Sequence, residues 1–167
     1  MHTVLYMGRR YPGKGARVDS VWVHLQGMCS KEKYGKQMKK KLKISKLKQK
    51  AERIFNRWIR LRSTDEYGYA TCVTCGERKH YKELHAGHLK HGLDFVEDNQ
   101  APQCVGCNTY RGGRLDVYTI YVLDAYGRER IDELTRMKNA GQKFSRSELE
   151  EICIKYKKLG DEIEQQL

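Results

Sequence analysis

Two cysteine pairs, Cys72-x2-Cys75 and Cys104-x2-Cys107, stand 28 residues apart in the chain. Each pair can present two thiolates from one tight turn, and four thiolates satisfy tetrahedral zinc. Two disulfides would suit a small secreted domain, but the N-terminus shows no apolar leader segment. A redox CxxC would account for one pair and leave the other without a role. A structural zinc ion on Cys72, Cys75, Cys104 and Cys107 is therefore the expectation. Between the pairs runs His85-Ala86-Gly87-His88, and Asn108 directly follows the last knuckle cysteine, Cys107. A purely structural zinc site needs neither the histidines nor the asparagine, so further chemistry is expected there.

Several elements must position these residues. Ile44, Leu47, Ala51, Ile54, Trp58 and Leu61 recur at 3,4,3,4,3 spacing, which predicts one amphipathic helix. Phe55 and Trp58 are expected to pack it against the cysteine module, with stacking on bases as the alternative. Residues 70–90 read as a hairpin whose turn is the first knuckle, closed by Gly76. In the strand that follows, residues 85 and 87 face one way and 86 and 88 the other. Residues 92–103, with Gly92, Asn99 and Pro102, read as loop, and the second knuckle opens a short helix ending at Gly112-Gly113. Two helical pieces, 115–126 and 128–139, are broken at Gly127, and Gly141 ends the second. Ser147 and Glu150 read as a capping box for a last helix. Its stripe of Leu149, Ile152, Tyr156, Leu159 and Ile163 would pack on the domain itself or form a dimer seam. Near the start, the alternation of Val21, Val23 and Leu25 suggests a short strand. The resulting divisions are 1–38, 39–63, 64–114 and 115–167.

The net charge of +12 is unevenly distributed: residues 1–62 carry +15, residues 63–127 carry −3 and the rest balance. Residues 31–50 alone hold ten lysines against one Glu. Such a segment attracts nucleic acid by releasing counterions, without reading sequence. Lys39, Lys40, Lys41, Lys43, Lys46, Lys48 and Lys50 are the expected phosphate contacts, and Arg111 and Arg114 could clamp a phosphate near the second knuckle. With 39% hydrophobic residues the chain has little apolar material for its length, and a metal staple would help it fold. No apolar run suits a membrane span, so a soluble, cytoplasmic protein is expected. Cys29 and Cys153 fall outside the knuckles and read as reduced thiols, and His80 and His91 as surface residues.

The run KLKISKLKQKAERIF…CVTCG…HAGHLKH…NQAPQCVGCNTYRGG resembles the NinG/Rap family of lambdoid-phage recombination nucleases. The resemblance covers roughly residues 40–167, and residues 1–39 only in basic character. The family is similar to zinc-containing HNH nucleases. That implies an α+β fold: a small zinc-stapled ββα-metal core with a basic N-terminal helix and C-terminal helices. It implies metal-dependent, structure-selective cleavage of branched DNA such as D-loops and Holliday junctions, in the host cytoplasm. By the same resemblance His88 matches the general base, Asn99 the residue that steadies the loop, and Asn108 a ligand of a catalytic Mg²⁺ or Mn²⁺. One departure stands out: a second metal ligand often precedes the base, and here that place is Gly87. His85, or else Asp94, Glu97 or Asp98, would take that role. A homodimer would supply two active sites to a symmetric junction. The competing readings are a non-catalytic zinc-ribbon accessory factor that binds nucleic acid, and an RNA-binding zinc protein.

Overall fold

The computed structural model describes residues 42–167. The expected strand at 21–25, the basic segment 1–38, Cys29, Lys39, Lys40 and Lys41 lie outside the described residues. Helix α1 spans Ile44–Leu61 and buries Leu47, Ala51, Phe55, Trp58, Ile59 and Leu61, while Ile44 stays 50% exposed. The buried face is wider than the single stripe in the sequence, because α1 touches two neighbours. One is helix α4, Arg146–Glu164. The other is the hairpin of β3, Leu84–His88, and β4, Gln100–Cys104.

Helices α1 and α4 run parallel. At their first turns Arg146 Nη2 donates to the Leu42 carbonyl at 2.7 Å. At their far ends Arg57 Nη1 meets Asp161 at 2.8 Å and Nη2 pairs with Glu164. At Gly160 the two helices come close: a Cβ there would stand 3.2 Å from Arg57 Nη1 and would press on that guanidinium. Between these ends Leu47 and Ala51 pack on Leu149 and Cys153, and Phe55, Trp58 and Ile59 pack on Tyr156. The Phe55 ring meets Tyr156 edge-on at 4.6 Å and Phe95 at 5.6 Å. Each such fully buried Leu or Phe contributes roughly 1.5–3 kcal/mol. Phe55 and Trp58 thus pack on the cysteine-bearing segment, through Ala86 and Phe95, as the sequence suggested, and on α4 as well, which it did not. The physical reason is the matched stripe of α4, which offers α1 a longer apolar partner than a two-stranded hairpin can. Leu149 and Tyr156 are correspondingly buried within the chain.

Helix α4 starts two residues before the point its sequence suggested. Ser145 is the N-cap: its Oγ accepts from the Glu148 amide at 3.3 Å, and its own amide donates to Glu148 Oε2 at 2.7 Å. Ser-x-x-Glu occurs twice in overlapping register, at 145–148 and 147–150. The earlier one prevails because it alone places Phe144 before the cap and Leu149 in the fourth helical position. Both join one apolar cluster, as a hydrophobic staple requires.

Everything between α1 and α4 forms an insertion carrying the cysteines. β1, Tyr69–Thr71, pairs antiparallel with β2, Arg78–His80. β3 pairs antiparallel with β4, from Leu84↔Cys104 to His88↔Gln100. The sequence read loop as far as residue 103, yet the strand begins at Gln100. Pro102 is tolerated because both strands of a two-stranded sheet are edges, where a missing donor costs least. A turn of π-helix, Gly106–Tyr110, follows β4. Helices α2, Leu115–Tyr126, and α3, Arg128–Ala140, are separated at Gly127 as the sequence predicts. They bury Tyr118, Val122 and Leu134 with Leu89, Leu93 and Ala101 in a second core.

Candidate metal centre

The first knuckle is the turn between β1 and β2. Gly76 takes φ +77° there, its amide donates to the Cys72 carbonyl at 2.9 Å, and the Cys72 amide donates to Glu77. The second knuckle joins the end of β4 to the π-turn. There the Cys107 amide points at Cys104 Sγ, 3.4 Å away. Together these turns bring the four sulfurs within 4.8 Å of one another. Cys75 and Cys104, from different knuckles, stand 3.8 Å apart. Zn–S bonds of about 2.3 Å at tetrahedral angles place sulfurs about 3.8 Å apart, so the spacing fits zinc. It is far too long for a disulfide, and all described cysteines are free.

The electrostatics fit a cation as well. Burial opposes ionisation of Cys72, but hydrogen bonds from the Thr74 hydroxyl and from backbone amides overcome it and hold the thiol at about 6. Burial and the adjoining thiols push Cys75 up to about 12, and burial raises Cys104. Sulfurs packed this closely take one negative charge readily and resist more, whereas a bound divalent cation ionises them together. The cluster could therefore hold a metal such as zinc on Cys72, Cys75, Cys104 and Cys107.

The other candidate residues fall into three places. Asn108, one residue past Cys107, reaches back across the site. Its amide nitrogen lies 3.0 Å from His85 Nδ1, on the exposed side of β3. Asn99 is fully buried and pins the chain before it. Its side chain donates to the carbonyls of Lys90 at 3.0 Å and Leu93 at 2.7 Å, and accepts from the Lys90 amide at 2.8 Å. His88 is the third. It lies three residues beyond His85, so the two side chains leave opposite faces of the strand, roughly 10 Å apart along it at about 3.3 Å per residue.

His88 lines a pocket of about 240 Å³ with Glu52, Phe55, Asn56, Asp94, Phe95 and Gln100. Burial lowers its pKa from the ordinary 6.5; Asp94 opposes that shift, and His91, its ring 6.2 Å away, reinforces it. Lys48 bridges both carboxylates of this pocket, at 2.7 Å from Asp94 and 3.1 Å from Glu52. Of the alternatives for a second ligand, Glu97 binds Tyr156 at 2.7 Å and Asp98 binds Arg130 at 3.0 Å. Arg111 is exposed in the turn after the π-helix, and Arg114 takes left-handed backbone at φ 44° just before α2. Lys43 and Lys46 are exposed and Lys50 half-buried on α1.

Two residues of the site escaped the sequence reading. Thr74 and Gln103 are buried polar side chains beside the cysteines. The signal for Gln103 was its place in the hairpin: a polar residue opposite His85, between Pro102 and Cys104, in a strand with no exposed position.

A family model described as "Bacteriophage Lambda NinG protein" matches residues 25–166. Protein ninG of Escherichia phage 933W is 31% identical over 133 residues, covering 71% of this chain and 62% of that protein. Protein ninG of Escherichia phage lambda is 32% identical over 109 residues, covering 56% of this chain and 50% of that protein. The chain thus spans between half and two thirds of the length of these curated relatives. No solved structure matches it. No described helix is long and apolar enough to cross a membrane. Since the family match takes in α1, both knuckles and all three helices after them, the chain belongs to the NinG family of bacteriophage proteins.

Proposed function

We propose that this protein is a metal-dependent endonuclease acting on branched DNA, built on an HNH-like hairpin and turn that structural zinc staples together. The observation that carries the reading is the meeting of His85 and Asn108 at 3.0 Å. They are 23 residues apart; the β3–β4 pairing sets His85 opposite Gln103, and the Cys104–Cys107 knuckle turns Asn108 back toward it. Imidazole nitrogen and amide oxygen are a sparse ligand set suited to Mn²⁺, or to Mg²⁺ that keeps most of its water. When bound there, a divalent ion would polarise a phosphate and stabilise the leaving oxygen. His88 is the proton acceptor. Burial keeps its imidazole neutral at pH 7, so it can take a proton from water, and Asp94 beside it stabilises the cation that results. Asn99 holds the 90–93 loop that follows His88. Lys43, Lys46 and Lys50 with Arg111 supply positive charge for the DNA backbone, and branch-point deformability supplies selectivity. Such a protein would work in the host cytoplasm. A dimer on a symmetric junction would have to use surfaces other than the α4 stripe.

One observation favours a second reading, a zinc-ribbon factor that binds nucleic acid without cutting it: His85 and His88 leave opposite faces of β3. The test is cleavage of end-labelled four-way junction, D-loop and linear duplex with Mg²⁺ or Mn²⁺. Cuts near the branch point, abolished by EDTA and in His88→Asn, are expected. Tight binding without cutting in either metal would replace the first reading by the second.

A further inference from the structure

Gln103 is fully buried in β4, yet its side chain reaches three separate pieces of the molecule. Its amide nitrogen donates to the Gly113 carbonyl at 2.8 Å and to the Thr74 hydroxyl at 3.2 Å. A carbonyl can only accept, so the orientation of the amide is fixed. Its Oε1 is buried and has no hydrogen-bond partner among the described residues. That oxygen lies over Gly87, where a built Cβ would stand 1.9 Å from it. The three atoms nearest to that Cβ all belong to Gln103. The missing side chain at residue 87 is therefore the space that Gln103 fills. Thr74 Oγ1, in turn, lies 3.3 Å from Cys72 Sγ. With the Gln103 amide entering the hydroxyl oxygen, the hydroxyl proton is free to point at the sulfur, a pure acceptor once ionised.

We propose that Gln103 is the positioning residue of the metal centre. Through Thr74 it orients the Cys72 thiolate. Through Gly113, and through its seat over Gly87, it ties the centre to the strand carrying His85 and to the turn after Asn108. This rests on reading the four cysteines as a metal site. Partners that hold metal ligands in place typically govern affinity by about 10–100-fold, and a loss of that size is expected here.

The test is zinc affinity of the full chain by competition with a chromophoric chelator, together with the thiolate charge-transfer absorption of the Co²⁺ form. Thr74→Val should weaken zinc binding about 10–100-fold and shift the Co²⁺ band, and Thr74→Ser should restore both. Gln103→Ala should weaken binding similarly. Gly87→Ala should do the same by displacing Oε1, and Gly87→Ala/Gln103→Ala should be no worse than either alone. If the wild type takes up no metal, the cysteine-site reading itself fails. If the wild type binds one metal and Thr74→Val keeps its affinity and spectrum, the positioning role is wrong. Additive losses in the double variant would equally overturn it. Should Gln103→Ala fail to fold, the Val/Ser pair at Thr74 decides.

Discussion

His88 ends β3 half-buried, and its surroundings favour the neutral ring over the charged one. Its pKa in the folded chain lies below the ordinary value of 6.5, so the unfolded chain binds the proton more tightly. Its contribution to stability is therefore intact above pH 6.5 and is lost as the pH falls through the lower folded value. Melting temperatures measured downward from pH 7.5 should fall more steeply in wild type than in His88→Asn. Equal slopes would show that the burial of this ring carries no proton linkage. Asn99 invites a different substitution. Asn99→Ala leaves the Lys90 and Leu93 carbonyls without their donor, at a cost on the order of 1–3 kcal/mol for each, readable in urea melts. The four clustered cysteines were legible as a candidate metal site because their type and spacing are chemical signals in themselves. Gln103 and Thr74 were not. A glutamine is informative only when its burial is known, and burial comes from the pairing of β3 with β4.

Among the elements, α1 and α4 share the most extensive packing. Phe55 is 1% exposed and touches Trp58, Phe95 and Tyr156. Phe55→Ala should cost about 3–5 kcal/mol, and Ser145→Ala about 1 kcal/mol through the lost cap. A Ser147→Ala variant should be near neutral by comparison, and chemical denaturation of the three proteins would rank them. Helix positions were readable because a 3,4 stripe is a local pattern. The partner of the α1 stripe was not, since two stripes separated by more than 80 residues carry no mutual mark. The choice between the overlapping Ser-x-x-Glu boxes likewise depended on Phe144 and Leu149 meeting in three dimensions.

For the whole molecule, the cysteine cluster and the α1–α4 seam are separate apolar clusters. On the reading that the four cysteines hold zinc, chelation or Cys75→Ser should loosen the hairpins first. Limited proteolysis should then cut between residues 64 and 114 while most of the helical circular dichroism persists. The concentrated positive charge gives a further expectation. On the proposed nuclease reading, Lys43→Ala/Lys46→Ala/Lys50→Ala should weaken binding to all DNA forms alike and flatten the salt slope by about one unit per lysine that contacts phosphate. Unchanged affinity across salt would exclude α1 as a DNA-binding arm. The parallel pairing of α1 with α4 also has a consequence for synthesis. The two helices begin about 100 residues apart. At 5–20 residues per second, α1 leaves the ribosome about 5–20 s before its partner exists. For that interval Leu47, Phe55 and Ile59 have no seam to enter, so the nascent chain presents an uncovered, lysine-flanked apolar helix. Translation products that stop before residue 146 would keep that helix uncovered and should be cleared or aggregate, however well their cysteines have gathered.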